Sequence, residues 1–247
     1  MTYALAAYLF FLGTFACAIG FVGNFPFMRR TIDGGATAPL AQAVAIDIAL
    51  LALFAIQHSV MARRGFKRMW TRWVPPSIER ATFVLAASAA LALLLWQWRP
   101  IAAPALWTVH EPAARLVLQA VFWAGWGVLL VSTYLIDHFE LFGLRQPWQA
   151  MRGGSVAAHE FRTPLFYRHV RHPIYLGFLL AFWATPDMSA GHALFAAACT
   201  VYILIGIWFE ERDLVAQFGQ RYLSYRAQVG MLLPRLTGRS AKTPEQS

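Results

Sequence analysis

Long apolar runs separated by short polar or basic loops occupy most of the chain. The runs at residues 4–24, 40–61, 81–98 and 116–136 each come close to the length that lets a helix cross a hydrocarbon core of about 30 Å. A further apolar region, 173–209, is broken at Pro186, Asp187 and Met188 and predicts a helical hairpin with arms 173–185 and 190–209. At roughly 1.5 Å per residue the first arm reaches only about 20 Å, so it is expected to be buried or partly inserted. The pattern predicts an all-α, polytopic integral membrane protein with four full transmembrane helices, a C-terminal helical hairpin and a polar tail. It divides one membrane domain into N-terminal helices (1–142), a polar linker (143–171), the hairpin region (172–236) and a tail (237–247) expected to be disordered.

Composition strengthens this reading. The 247 residues are 58% hydrophobic and 13% charged, far from soluble averages, and the mean hydropathy is +0.48. A lipid bilayer is the natural partner of such a chain. The first run reads as a retained helix, with no basic segment before it and no small-residue cleavage site followed by a soluble domain. Cys17 and Cys199 lie inside apolar runs, where they read as packing residues. No His and Cys set has ligand spacing, so no metal is expected.

The net charge of +9 sits in loops, without a soluble basic domain, which argues against a nucleic-acid partner and toward topology. With the N-terminus in the cytoplasm, the cytoplasmic loops hold Arg63, Arg64, Lys67, Arg68 and Arg72, then Arg145, Arg152, Arg162, Arg168 and Arg171. The opposite side holds Arg29, Arg30 and Arg99. The positive-inside rule therefore predicts cytoplasmic N- and C-termini, the tail carrying Arg212, Arg221, Arg226, Arg235, Arg239 and Lys242.

A hairpin brings its two cytoplasmic ends together: Arg168-His169-Val170-Arg171-His172-Pro173-Ile174-Tyr175 and Trp208-Phe209-Glu210-Glu211-Arg212. Such a meeting of groups suits S-adenosylmethionine, whose ammonium and ribose want carboxylates, whose carboxylate wants Arg or His, and whose adenine wants aromatic walls. Pro173 fits a first helical position, and Gly177 would allow close backbone or ligand approach. Tyr222 and Tyr225, in 218–225, could form an aromatic lid. The other reading makes the Arg and His residues interfacial anchors, the two glutamates solvated charges and 218–225 an amphipathic interfacial helix.

Taken together, Arg-His-Pro-x-Tyr-x-Gly at 171–177, an apolar hairpin, Glu-Glu-x-x-Leu at 210–214 and Gly-x-x-Tyr-x-x-Tyr at 219–225 with Pro234 resemble the isoprenylcysteine carboxyl methyltransferase and phospholipid methyltransferase superfamily. The resemblance implies that His172, Tyr175, Glu210 and Glu211 help hold S-adenosylmethionine, with Arg171 and Tyr222 assisting. Further upstream, Gln57-His58-Ser59-Val60-Met61-Ala62-Arg63, Phe66-Lys67, Glu79-Arg80 and Asp137-His138-Phe139-Glu140-Leu141-Phe142-Gly143-Leu144-Arg145-Gln146 are similar to bacterial methanethiol S-methyltransferases. That likeness implies a small thiol substrate, methanethiol, converted to dimethyl sulfide, and a bacterial inner membrane.

Methyl transfer from a sulfonium needs a strong nucleophile held close, with water excluded. A thiol with a pKa near or above about 8.5 benefits from a base, whereas a carboxylate acceptor arrives ionised. His58, beside Gln57, and His138, with Asp137 or Glu140 to orient it, are the candidate bases near the ends of the second and fourth runs. In the alternative reading His58 snorkels at the interface. Asp47, inside the second run, needs a partner or a proton, and Gln42 or Gln119 could supply the partner.

Overall fold

The computed structural model describes residues 1–153, 161 and 163–235. Arg162, Arg239, Lys242 and the tail expected at 237–247 lie outside the described residues. Helices dominate: α1 (Thr2–Val22), α2 (Leu40–Ala62), α3 (Arg64–Trp70), α4 (Pro76–Gln97), α5 (Pro112–Ile136), α6 (His138–Leu141), α7 (Arg145–Met151), α8 (Pro173–Trp183), α9 (Ala190–Phe218) and α10 (Gln220–Gln228). Strands β1 (Ala105–Thr108) and β2 (Asp187–Ser189) interrupt them. The protein is an all-α integral membrane protein. Among the described residues α1, α2, α4, α5 and α9 are long and apolar enough to cross a bilayer.

α4, α5, α8 and α9 begin at a proline or a polar cap that eases the demands of a free helix start. Pro76, Pro112 and Pro173 stand in the first helical turns of α4, α5 and α8, where no intrahelical bond needs a proline N–H. The Glu111 carboxylate accepts from the N–H groups of Ala113 (3.1 Å) and Ala114 (2.5 Å) and caps α5. The Ser189 hydroxyl accepts from His192 N–H at 3.0 Å and caps α9. The Pro76 start of α4 and the Pro112 start of α5 with its Glu111 cap explain why these helices begin before the apolar windows seen in the sequence. Leu9, Leu53, Ile56, Leu116, Val117, Leu204 and Ile205 remain exposed on the helix surfaces, as lipid-facing residues should.

The hairpin expected at 173–209 forms with unequal arms. α8 has 11 residues and packs chiefly on α5, whereas α9 has 29 and is a full span. Gly125 and Gly177 set the α5–α8 distance: a Cβ on Gly125 would lie 2.7 Å from the Gly177 carbonyl, and one on Gly177 would lie 2.6 Å from the Gly125 carbonyl. This revises the ligand-approach role considered for Gly177. Its bare face is filled by the α5 backbone, the small-residue packing common between membrane helices. Around this seam Phe21, Trp98, Phe122, Trp126, Phe182 and Phe195 form the main core.

The break at Pro186 to Met188 is a strand rather than a turn alone. β2 pairs antiparallel with β1, Thr108 opposite Asp187 and Ala105 opposite Ser189. Arg115 donates to both Asp187 oxygens, at 3.1 and 2.8 Å, and holds that carboxyl below its ordinary range. Ser189 also bonds to Asp33, so the α1–α2 loop, the α4–α5 loop and the α8–α9 turn are tied together. Asp47 belongs to this end of the bundle. Its carboxylate accepts from the Arg99 backbone N–H at 2.9 Å, while Gln42 and Gln119 face outward, so the partner is Arg99 and neither glutamine. The reason is helix register: α2 begins at Leu40, placing Asp47 only about 10 Å from the helix end and within reach of the α4 terminus.

Candidate active site

At the opposite end, the start of α8 meets the last turns of α9. A strap after α10 fixes the approach: Arg171 N–H donates to the Gly230 carbonyl (2.8 Å) and His172 N–H to that of Met231 (3.2 Å). Gly230 is required there, because a Cβ would collide with the Leu233 carbonyl. α9 continues through Glu210 and Glu211 to Phe218. Gly219, at φ +54°, then turns the chain back so that α10 lays Tyr222 against the cluster.

The two neighbouring glutamates have different environments. Glu211 accepts from Arg171 Nε (2.7 Å) and His172 Nε2 (3.1 Å), and Arg226 stands 3.8 Å away. The Arg171 and Glu211 side chains are 8% and 14% exposed, so this is a buried, matched pair. Glu210 accepts from the Tyr175 hydroxyl at 2.9 Å, and His172 Nδ1 lies 3.9 Å away, outside hydrogen-bond distance. With its side chain 45% exposed, Glu210 presents a carboxylate that can still take a cationic ligand.

An aromatic wall stands beside the glutamates. Phe161 meets the rings of Phe218, Tyr222 and Tyr225, and Tyr225 Oη donates to the Tyr167 carbonyl at 2.5 Å. Burial raises the hydroxyl pKa of Tyr222 and Tyr167, with Glu211 and Glu210 respectively adding to the effect, and pushes Tyr225 up to about 12. All three stay protonated donors at neutral pH. Among the described residues the Tyr222 hydroxyl is buried without a hydrogen-bond partner, a cost that a ligand atom would remove. Arg168 and His169 are exposed at the rim. An open groove of about 470 Å³ is lined by Arg171, Glu211, Leu223, Arg226, Ala227 and Arg235.

The two histidines nominated as bases differ sharply. His138 is 4% exposed and both ring nitrogens are engaged, Nδ1 with Thr133 Oγ1 and Nε2 with Tyr8 Oη, each at 2.8 Å. The Thr133 hydroxyl donates to the Leu130 carbonyl (2.7 Å), so it accepts from Nδ1–H and leaves Nε2 to accept from Tyr8. Burial lowers the His138 pKa. Asp137 does not orient this ring: its carboxylate accepts from Glu140 N–H and from Arg145. His58, near the end of α2, stacks on Phe54 and meets Phe83 and Tyr202. Its Nδ1 is buried without a partner, as is Gln57 Oε1, whose amide nitrogen donates to Met61 Sδ at 3.1 Å.

Comparison with known proteins places the chain in a family. The chain is 57% identical to methanethiol S-methyltransferase of Mycobacterium tuberculosis, over 94% of each chain. It is 52% identical to methanethiol S-methyltransferase 2 of Bradyrhizobium diazoefficiens over 97% of this chain and 91% of the relative. For the Pseudomonas deceptionensis enzyme of the same name the identity is 51%, over 96% of this chain and 89% of that one. The chain belongs to the methanethiol S-methyltransferase family. No family model and no solved structure matches it.

In this family member the sequence motifs at 171–177 and 210–211 do meet in space, at one end of the bundle with Tyr222 and Tyr225. Sequence reasoning passed over Phe161, Tyr167, Tyr202 and Gly206. The first two sit in the polar linker without a helical period to reveal them. The other two were legible in principle, because Tyr202, Gly206 and Glu210 recur every four residues and share one face of α9.

Proposed function

We propose that the protein transfers the methyl group of S-adenosylmethionine to methanethiol, releasing dimethyl sulfide, with its active site at the cytoplasmic face of a bacterial inner membrane. The observation that carries this reading is the open carboxylate of Glu210 beside a neutralised Glu211. S-adenosylmethionine has two cationic centres, a sulfonium and an ammonium, against one carboxylate, so a site for it needs a surplus of unspent negative charge. Glu211 is already matched by Arg171 and His172, which leaves Glu210 to meet a cation.

The residues present fit the donor. Glu210 would take its ammonium or ribose hydroxyls, the unpartnered Tyr222 hydroxyl would donate to it, and the Phe161–Tyr225 wall would face its adenine. Arg226 and Arg235, bordering the open groove, would meet its carboxylate. Arg168 and His169 at the rim would assist as outer cations. Arg171, His172 and Tyr175 act through the glutamates, fixing one and holding the other by a single hydrogen bond. When bound, the donor supplies an electrophilic methyl carbon, and the protein's task is to present a thiolate to it in a dry, apolar setting.

Arginine-rich loops at this end of the bundle support its cytoplasmic placement, where a water-soluble donor is available, while a small apolar thiol can arrive through lipid. The test is headspace gas chromatography on membranes of an expressing bacterium supplied with both substrates. Dimethyl sulfide formed by the wild type and lost in Glu210→Ala is the expected result. No product from wild-type membranes that bind the donor would overturn the thiol acceptor, and absence of donor binding would overturn the site.

A further inference from the structure

Outside the donor cluster, polar groups differ in how far their hydrogen-bonding capacity is used. His138 is locked by Tyr8 and Thr133, and the Asp33 and Arg115–Asp187 network at the far end is internally matched. Among the described residues His58 and His192 each keep a ring Nδ1 buried without a partner, but His192 already meets the Phe182 carbonyl (2.9 Å) at the far end of the bundle, whereas His58 lies among aromatic rings near the end of α2.

The surroundings of His58 connect to the donor cluster along one face of α9. Tyr202 lies 6.3 Å from the His58 ring between centroids, and its hydroxyl meets Ser59 Oγ at 3.2 Å, joining α9 to α2. One turn further on, Gly206 leaves open space: among the described residues only the Tyr175 hydroxyl lies within 4 Å of a Cβ placed there, at 3.9 Å. Another turn on stands Glu210, which accepts from that same hydroxyl. Tyr202 to Glu210 spans about 12 Å along the helix. The α9 face thus runs from Tyr202, which stands beside the His58 ring of α2, across a bare glycine, to the carboxylate assigned to the donor. Beside it the Arg63 guanidinium sits 3.7 Å over the Phe209 ring, tying the end of α2 to α9.

We propose that the methyl acceptor sits over Gly206 of α9, between His58 of α2 and Tyr175 of α8, and that Nδ1 of His58 takes its proton. The assignment rests on the donor site described above. In the reaction the S–H proton passes to Nδ1 and its bonding pair stays on sulfur. A sulfur lone pair forms the new S–CH3 bond as the bond from that carbon to the donor sulfonium breaks, its electron pair going to the donor sulfur. The proton then leaves His58 for water after product release. Phe54, Phe83 and Tyr202 surround the imidazole, supplying the apolar setting in which a thiolate is most reactive. Gly206 acts as a size determinant, since any side chain would occupy the floor on which a one-carbon thiol rests.

The experiment compares two acceptors, methanethiol and methaneselenol, the latter already ionised at neutral pH, on detergent-purified wild type, His58→Gln and Gly206→Val. Donor binding is measured separately by calorimetry. Loss of a general base costs about 100-fold or more. His58→Gln is therefore expected to lose about 100-fold with methanethiol but only a few-fold with methaneselenol, with donor affinity unchanged. Equal losses with both acceptors, or no loss, would overturn the role of His58. Gly206→Val should raise the methanethiol KM several-fold while donor affinity holds, and an unchanged KM would overturn the acceptor position even if His58→Gln fails to fold. A wild type inactive with methanethiol would instead count against the underlying thiol reading.

Discussion

Two polar corners lie at the same end of the helix bundle, and their difference locates the chemistry. In the α5–α6–α7 corner, His138 uses both ring nitrogens on Tyr8 and Thr133, Asp137 is held by Arg145 and the Glu140 N–H, and Arg80 Nε donates to the Leu141 carbonyl at 2.7 Å. In the α8–α9–α10 corner, Arg171, His172 and Glu211 are matched, but Glu210 stays partly open and the Tyr222 hydroxyl is buried without a partner. Both corners are buried and both carry the residue types of a catalytic site. What separates them is how far the ionisable side chains are matched inside the fold: in the first corner the buried atom without a partner among the described residues is the neutral Gln146 amide oxygen, whereas in the second it is a tyrosine hydroxyl beside a half-open carboxylate, and an unspent buried group costs free energy that a ligand can recover.

The largest effect expected from perturbing this contrast is on stability. Arg171→Ala removes the main partner of a carboxylate that is 14% exposed, and breaking a buried pair costs about 3 kcal/mol or more. Thermal unfolding in detergent would register this as a large fall in Tm, with partial recovery in Arg171→Lys. An Ala variant as stable as the wild type would remove the matched half of the corner from the account. Glu210→Gln should be the converse: an apo Tm close to wild type and a donor affinity lower by about 10- to 100-fold, equivalent to about 1.4 to 2.7 kcal/mol, measured by calorimetry.

In the closed corner the ranking reverses. His138→Gln should lower stability by about 1 to 3 kcal/mol, through the Tyr8 and Thr133 groups it leaves poorly matched, and leave donor affinity unaltered. A selective loss of methyl transfer without loss of stability would instead place His138 among the reacting groups. The smallest effect concerns pH. Burial holds the folded His138 pKa below its unfolded value of about 6.5. Between those two values the unfolded chain binds more protons, so this contribution is complete above about pH 6.5 and is lost as pH falls through the folded value. The Tm of the wild type should therefore fall from pH 7.5 to pH 5 more steeply than that of His138→Gln, and equal slopes would remove His138 from the pH response.

Much of this architecture was legible beforehand. The four N-terminal spans, the apolar hairpin and the meeting of 171–175 with 210–211 follow from apolar run length, the break at Pro186 and alternation of sides. The β1–β2 pair was hidden, because a three-residue strand has no period to detect and its partner lies in a distant loop. Gly177 left two readings open, close backbone approach or room for a ligand, and only the neighbouring helix shows that the backbone of α5 fills the space. His58 and His138 were indistinguishable by sequence, each a histidine near a helix end, although one is locked and the other has a bare nitrogen.

Hydropathy adds up along the chain, so the sequence by itself determined that this is a polytopic helical membrane protein, where its spans fall and which ends carry its charge. Hydrogen bonding and ion pairing act over about 3 Å and depend on direction, so their outcome is decided by residues far apart in the chain. Tyr8 with His138, Arg99 with Asp47, Ser59 with Tyr202 and Arg171 with Glu211 are such pairs. Only the tertiary structure could decide which polar groups those pairings use up and which, like Glu210, Tyr222 and His58, they leave available for chemistry.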